Sequence, residues 1–271
     1  MAFPNKSYDF DIDRIVNYLA KFRDELPKLY QWNANIDKLI DFNILTTKEV
    51  KHLNTISPFE KELILKEKVN YKLHELKLVE DQSFYELCLW IIKDWGGIRA
   101  AKEEKTIPLI KEFLNSDNPI FKRIASLSKV GSYMYPNKYI IYDSRVAYSL
   151  NWILLAENAS NRFFPIPEGR NSKMLAFDMN VLIRMKNSIH YEPNNIQDLD
   201  KRQYINKIDK SIYIPPKQAY SELNKLIAEV HKRLWNGDYN EKLYYTEMLL
   251  FAIADREIFQ DITDRIKFSI H

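Results

Sequence analysis

"SLSKVGSYMYPNKYIIYDSRVAYSLNW", residues 126 to 152, differs in charge from the rest of the chain. Between Pro119 and Asn151 stand five bases, Lys122, Arg123, Lys129, Lys138 and Arg145, against one acid, Asp143. Five minus one gives +4, in a chain whose formal total is +3, so the remainder is close to neutral. Tyr133, Tyr135, Tyr139, Tyr142 and Tyr148 are interleaved with these bases. The same stretch carries structural punctuation. The break "YPNKY" and an apolar pair lead to Asp143, which stands directly before "SRVAYSLNWILLAE". An aspartate there is expected to cap a helix, its carboxylate accepting a backbone N–H and facing the positive end of the dipole. On that ground alone Lys129 and Arg145 are surface bases and the tyrosines are packing.

Beyond this stretch the chain reads as all-α. It holds only five glycines, Gly96, Gly97, Gly131, Gly169 and Gly237, so hairpin turns and phosphate-cradling loops have little to be built from. "DIDRIVNYLAKFRDEL", "SFYELCLWIIKDW", "VAYSLNWILLAE" and "QAYSELNKLIAEVHKRLW" space their apolar residues three and four apart, the period of one buried helical face. Two short segments, "NYKLHELKLV" and "KYIIYD", are the candidate strands.

At 271 residues, 46% hydrophobic and 28% charged, the chain is long enough for one large domain or two lobes and is not of disordered composition. No apolar run approaches the roughly 18 residues of a membrane span. "MAFPNKSYDFDID" lacks the marks of a secretory or transit peptide, which implies a cytoplasmic protein. The single cysteine, Cys88, is expected to be a small buried side chain.

Three blocks follow along the chain. The first holds helical pattern from about Asp9 to Leu26, Ile36 to Ile40 and Ser57 through Lys68, with "TTKE" at Thr46 to Glu49 as a capping box. The second begins near Asp81 and contains the Trp95-Gly96-Gly97 break, a helix after Pro108, another after Pro119, and the helix at Asp143; "NRFFPIPEGRNS", residues 161 to 172, ends it. The third includes a polar stretch from Tyr191 to Ser211 and two strong helices, one begun by Pro215-Pro216 and one covering "YYTEMLLFAIADREIF".

Several chemical motifs are set aside. Asp9, Asp11 and Asp13 alternate as a calcium loop begins, but Arg14 and Ala20 stand where glycine and glutamate are needed. The five histidines are scattered, with no pair at metal-ligand spacing, so no metal site is expected. "LILKEK", residues 63 to 68, has the carboxylate and lysine ending of some nuclease sites, yet its pattern is helical and it reads as a charged helical face.

The order helix, "SLS" turn, Lys129, second helix, "YPNKY", then Asp143-Ser144-Arg145 resembles the active-site segment of the helix-hairpin-helix DNA glycosylases. That superfamily includes endonuclease III and 8-oxoguanine DNA glycosylase. In it a lysine opens the hairpin's second helix, an aspartate caps the next helix, and a phosphate contact follows two residues later. A second stretch, "RLWNGDYNEKLYYTEMLLFAIADR", residues 233 to 256, is similar to the C-terminal helices of the 8-oxoguanine branch. There a Leu-Trp-Gly-Tyr turn precedes a helix bearing a stacking phenylalanine and a glutamine at the base edge. Together the likenesses cover about fifty residues, and the hairpin departs from the pattern in having Gly131 alone where a pair of glycines is usual.

The resemblance implies a two-lobed helical fold of the helix-hairpin-helix glycosylase type. Residues 81–165 would form the hairpin-bearing lobe, and 1–80 with 166–271 the second. It implies Lys129 and Asp143 as catalytic residues, Phe251 and Glu247 in a base pocket, and Arg145, Lys122, Arg123 and Lys138 on DNA phosphates. A carboxylate only accepts hydrogen bonds, so Glu247 would suit a donor edge such as the N1–H and N2–H₂ of a guanine-like base. The activity implied is excision of a modified purine, with lyase activity if the Lys129 amine attacks C1′, and it needs no cofactor. Two alternatives stand beside it: a catalytically inactive glycosylase-like binder of nucleic acid or nucleotide, for example in bacterial antiviral defence, and a helical protein-interaction module.

Overall fold

Helix starts follow local hydrogen-bonding chemistry. Asp11 accepts from the Arg14 N–H, Thr46 and Ser57 each form a capping box with a glutamate three residues on, and Asp143 accepts from the Val146 N–H. The computed structural model describes residues 8–79, 82–116, 119, 121–167, 176–188, 212–235 and 241–266. Twelve α-helices are named here: α1 (Ile12–Ala20), α2 (Leu26–Leu29), α3 (Thr47–Leu53), α4 (Pro58–Leu78), α5 (Ser83–Trp90), α6 (Glu103–Leu114), α7 (Ile124–Met134), α8 (Ser144–Ala156), α9 (Met179–Ser188), α10 (Pro216–Leu234), α11 (Tyr244–Ile253) and α12 (Glu257–Arg265). A π-helical turn over Ile91–Trp95 continues α5.

The all-α expectation holds for these residues. Their only β pairing is an isolated bridge, in which the Phe163 N–H donates to Ile212 O and the Ile214 N–H to Phe163 O. None of their helices is long and apolar enough to cross a membrane. Helix α1 packs on α10, α8 on α11, α4 on α7, and α2 on α11. One cluster of buried apolar side chains runs from Ile15 to Ile262 and includes Cys88. The Asp81 boundary, part of the 161–172 loop, the 191–211 stretch and most of the turn after Trp235 lie outside the described residues.

Four local expectations are corrected. "NYKLHELKLV" is not a strand but the second half of α4, where Leu65, Val69, Leu73 and Leu76 fall on one buried helical stripe. Pro108 does not start a helix; α6 begins at Glu103 and runs through it, giving up one ladder bond. "SLS" is not a turn. Helix α7 is continuous from Ile124, because Ile124, Leu127, Val130 and Met134 keep an unbroken buried stripe through it, and Lys129 therefore sits mid-helix. Gly131 serves close approach rather than a turn, since a Cβ there would lie 2.9 Å from the Phe113 ring.

The fourth correction concerns "KYIIYD", which is extended but has no β partner among the described residues. Side chains take the place of a neighbouring strand. The Ile140 N–H donates to Asn224 Oδ1, the Ile141 N–H to Glu247 Oε2, and the Tyr142 N–H to Ser128 Oγ, while Ile140 O accepts from the Tyr220 hydroxyl. Three helices thus hold the connection that delivers Asp143 to the start of α8.

Candidate functional site

Helices α7 and α8 direct their N-terminal turns at one cleft of about 1060 Å³. The turn from Gly96 to Ala101 forms another wall, and Glu247 and Phe251 of α11 a third. Lys129, Asp143 and Arg145 line the same space. Residues expected from two distant stretches to act together are therefore neighbours. The placement of α11 follows from its surroundings: Thr246 Oγ1 accepts from Trp235 Nε1–H at 2.9 Å and lies 2.9 Å from His231 Nδ1, which ties α11 to the end of α10.

Lys129 enters the cleft beside Gly96. A Cβ at position 96 would stand 2.7 Å from both Cδ and Cε of the lysine and 2.8 Å from Ile91 O, so a side chain there would collide with the lysine stem and the backbone. The lysine is 7% exposed, and among the described residues its amine has no hydrogen-bond or ion-pair partner. Burial pushes its pKa below the ordinary lysine value; Asp143 and Glu247 pull it back up, while the nearby Lys66 charge pushes it further down.

Glu247 is 4% exposed, and its Oε2 accepts from the Ile141 N–H at 3.3 Å and the Ser132 hydroxyl at 3.4 Å. Burial pushes it up to about 7, with Asp143 and Glu62 adding to the push and Lys66 and the Ile141 N–H opposing it. The acceptor-only role expected of it is therefore incomplete. A carboxyl raised so far is partly protonated near neutral pH, and in that form it can also donate a hydrogen bond.

Asp143 Oδ1 caps α8 at 3.0 Å from the Val146 nitrogen. Arg145 is engaged within the protein: its guanidinium lies 4.6 Å from the Phe251 ring centroid and Nη2 is 3.1 Å from Asp255 Oδ2. A base stacking on Phe251 would share that ring with Arg145. Arg123 lines the cleft from the start of α7 with a left-handed backbone, φ 53°. Lys122 is exposed next to it, outside the lining. Lys138 is not brought to the cleft. It follows the far end of α7, a helix about 16 Å long, and lies over the Tyr139 ring.

Several participants were missed from sequence. Trp32 packs edge-on against both Phe251 and Trp95 and donates from Nε1 to Trp95 O. It comes from an irregular segment with no period to betray it. Lys66, read as part of a charged face, is 3% exposed, and its neighbour Glu62 is 2% exposed. The signal was present: they fall on the stripe that continues through Leu65, Val69 and Leu73. Among the described residues no three His, Cys, Asp or Glu side chains form a group able to hold a metal ion. No protein-family model, curated protein or solved structure matches the chain.

Proposed function

We propose that this chain is a DNA glycosylase with lyase activity, built on the two-lobed helix-hairpin-helix plan and excising a modified purine. The observation that carries the reading is the convergence of Lys129, Asp143, Glu247 and Phe251, residues of two distant stretches, on one cleft. In this reading α6 and α7, which pack on one another, stand for the hairpin's helices. The cleft is large enough for a nucleotide drawn out of the base stack, and the aromatic rings of Phe251 and Trp32 offset part of the unstacking cost.

The chemistry divides among the residues. As the glycosidic C1′–N bond breaks, its electron pair leaves with the base, and the positive charge developing on the sugar faces the Asp143 carboxylate. The protonated form of Glu247 can supply a hydrogen bond to the departing base. The lone pair of the Lys129 amine forms a new C1′–N bond, the amine loses a proton to solvent, and opening of the sugar ring gives the Schiff base from which strand cleavage proceeds. Burial, which disfavours the ammonium form, raises the share of this amine that is free to act as a nucleophile.

The closure of Arg145 onto Phe251 favours a second reading, a binder without catalysis. Duplexes carrying oxidised, alkylated or bulky modified purines, or an abasic site, separate the two. Under the glycosylase reading, at least one substrate loses its base and is nicked. Asp143→Asn, which keeps the cap because asparagine caps as well as aspartate, lowers base release by about two orders of magnitude, and Lys129→Gln abolishes nicking. Binding without base release or nicking on any of them would select the second reading.

A further inference from the structure

Three groups press on the Phe251 ring, and they differ in how firmly they are held. Trp32 meets it edge-on, with ring centroids 5.9 Å apart and an interplanar angle of 86°, and Tyr30 lies tilted against it at 6.0 Å and 46°. Both are fixed from behind. Trp32 donates from Nε1 to Trp95 O at 3.1 Å, and Tyr30 is buried. The third group is the Arg145 guanidinium, which lies over the ring at 4.6 Å from its centroid. Its Nη2 reaches Asp255 Oδ2 at 3.1 Å, and Asp255 stands four residues after Phe251, just past the end of α11. The Arg145 side chain is 24% exposed, so water can replace what it gives up on leaving.

Arg145 also has a place to go. Trp32, Arg145 and Phe251 line both the cleft and a neighbouring pocket of about 480 Å³. The carboxylates of Asp255 and Glu257 line that pocket and not the cleft. Turned toward it, the guanidinium leaves the ring without leaving carboxylate company. A base stacked on the covered face of Phe251 would set its atoms about 3.5 to 4 Å from the ring, in the space the guanidinium fills. One ring face cannot hold both.

We propose that Arg145 is an internal competitor for Phe251: a base stacks on the ring only by displacing the guanidinium toward the pocket lined by Asp255 and Glu257. The inference rests on the reading of Phe251 as the ring that receives a base. Of the three groups on Phe251, Arg145 alone combines partial exposure with a second site, which is why it is the one that yields. The apparent affinity for a base is then lowered by the fraction of time for which the ring is covered. Arg145 therefore opposes stacking, the reverse of what a side chain clamping the base or its phosphate would do.

That reversal of sign is the test. The probe is 2-aminopurine deoxyriboside, a fluorescent purine nucleoside whose emission is quenched by stacking on an aromatic ring; it has no phosphate, so no ionic contact of Arg145 enters. Arg145→Ala should tighten its binding about threefold to tenfold, the range set by a cation over a ring. Arg145→Gln, which keeps length and loses charge, should act in the same direction and serves if the alanine variant does not fold. In a Phe251→Leu background the gain should vanish, as a general loosening of the cleft would not. In the wild type the Arg145 Nε–H proton resonance, shifted upfield by the ring, should move back as the nucleoside saturates. Weaker or unchanged binding in both Arg145 variants, the same gain without Phe251, or no binding to wild type and variants alike overturns the proposal. Tighter binding in the Arg145 variants with no base release or nicking of any duplex would instead reject the glycosylase reading and leave the competition intact.

Discussion

Two groups of buried or half-buried charges in this protein are treated in opposite ways. Where α1, α8 and α12 meet, Asp261 Oδ2 accepts from the Tyr18 hydroxyl at 2.9 Å and Trp152 Nε1–H at 2.7 Å, and Oδ1 accepts from Arg265 Nε–H at 2.9 Å. Arg265 continues to Glu157 at 2.6 Å and to Ala156 O. Burial pushes the Asp261 carboxyl up, but the donors from Trp152, Arg265 and Tyr18 outweigh it and hold its pKa below the usual carboxylate range. At the cleft the reverse holds. Among the described residues the buried Lys66 Nζ has no hydrogen-bond partner, burial lowers the Lys129 pKa, and Glu247 is pushed up to about 7. The contrast teaches that this chain is able to satisfy buried charge but does not do so uniformly. An unsatisfied cluster beside a cleft is the usual signature of a site arranged for chemistry.

The largest stability effect should come from breaking the satisfied network. Asp261→Ala strands the donors of Tyr18, Trp152 and Arg265 and should cost about 3 kcal/mol in denaturant unfolding, without altering the titration of Lys129. A cost below about 1 kcal/mol would dissolve the contrast.

A change of opposite sign is expected at the cleft. The folded state raises Glu247 from 4.5 to about 7, so it binds this proton more tightly than the unfolded chain does. The associated stability is fully present below about pH 4.5 and is lost as pH rises through about 7. Glu247→Gln escapes that loss while keeping an acceptor for Ile141 and Ser132. It should stabilise the protein by about 2 kcal/mol at pH 8.5 and by little near pH 4, read from melting curves at both. Equal melting of the two proteins at high pH would mean that the carboxylate is not strained.

The smallest effects concern the outer bases. Arg123→Ala, at the cleft mouth, should weaken DNA binding a few-fold for all sequences and flatten its salt dependence by about one phosphate contact. Lys138→Ala should do neither. Equal losses for both would mean that the DNA path runs the length of α7 rather than across the cleft.

Legibility from sequence tracked the range of the interactions. Caps at Thr46 and Asp143 depend on residues three positions away, and they were readable. Continuity of α7 through "SLS" was not, because serines suit turns and helices alike, and the burial of Ile124, Leu127 and Val130 that decides it is set by tertiary packing. The extended "KYIIYD" was visible as a strand-like run, but its partners, Asn224, Glu247 and Ser128, lie on three helices that no local pattern connects. The candidate site was readable through Lys129, Asp143, Glu247 and Phe251 because a resemblance tied the two stretches together. Trp32, Lys66 and the close approach of Gly96 depend on tertiary packing alone.

The central claim is that the buried Lys129 amine, its pKa lowered by burial, is able to bond to the sugar of a bound nucleotide. Its most direct test is to reduce the protein with borohydride in the presence of duplex DNA containing an abasic site, digest the complex, and locate the modified lysine by mass spectrometry. The adduct is predicted on the peptide bearing Lys129, with loss of the complex in Lys129→Gln. An adduct confined to another lysine or to the N-terminal amine, or no adduct at all, would contradict it.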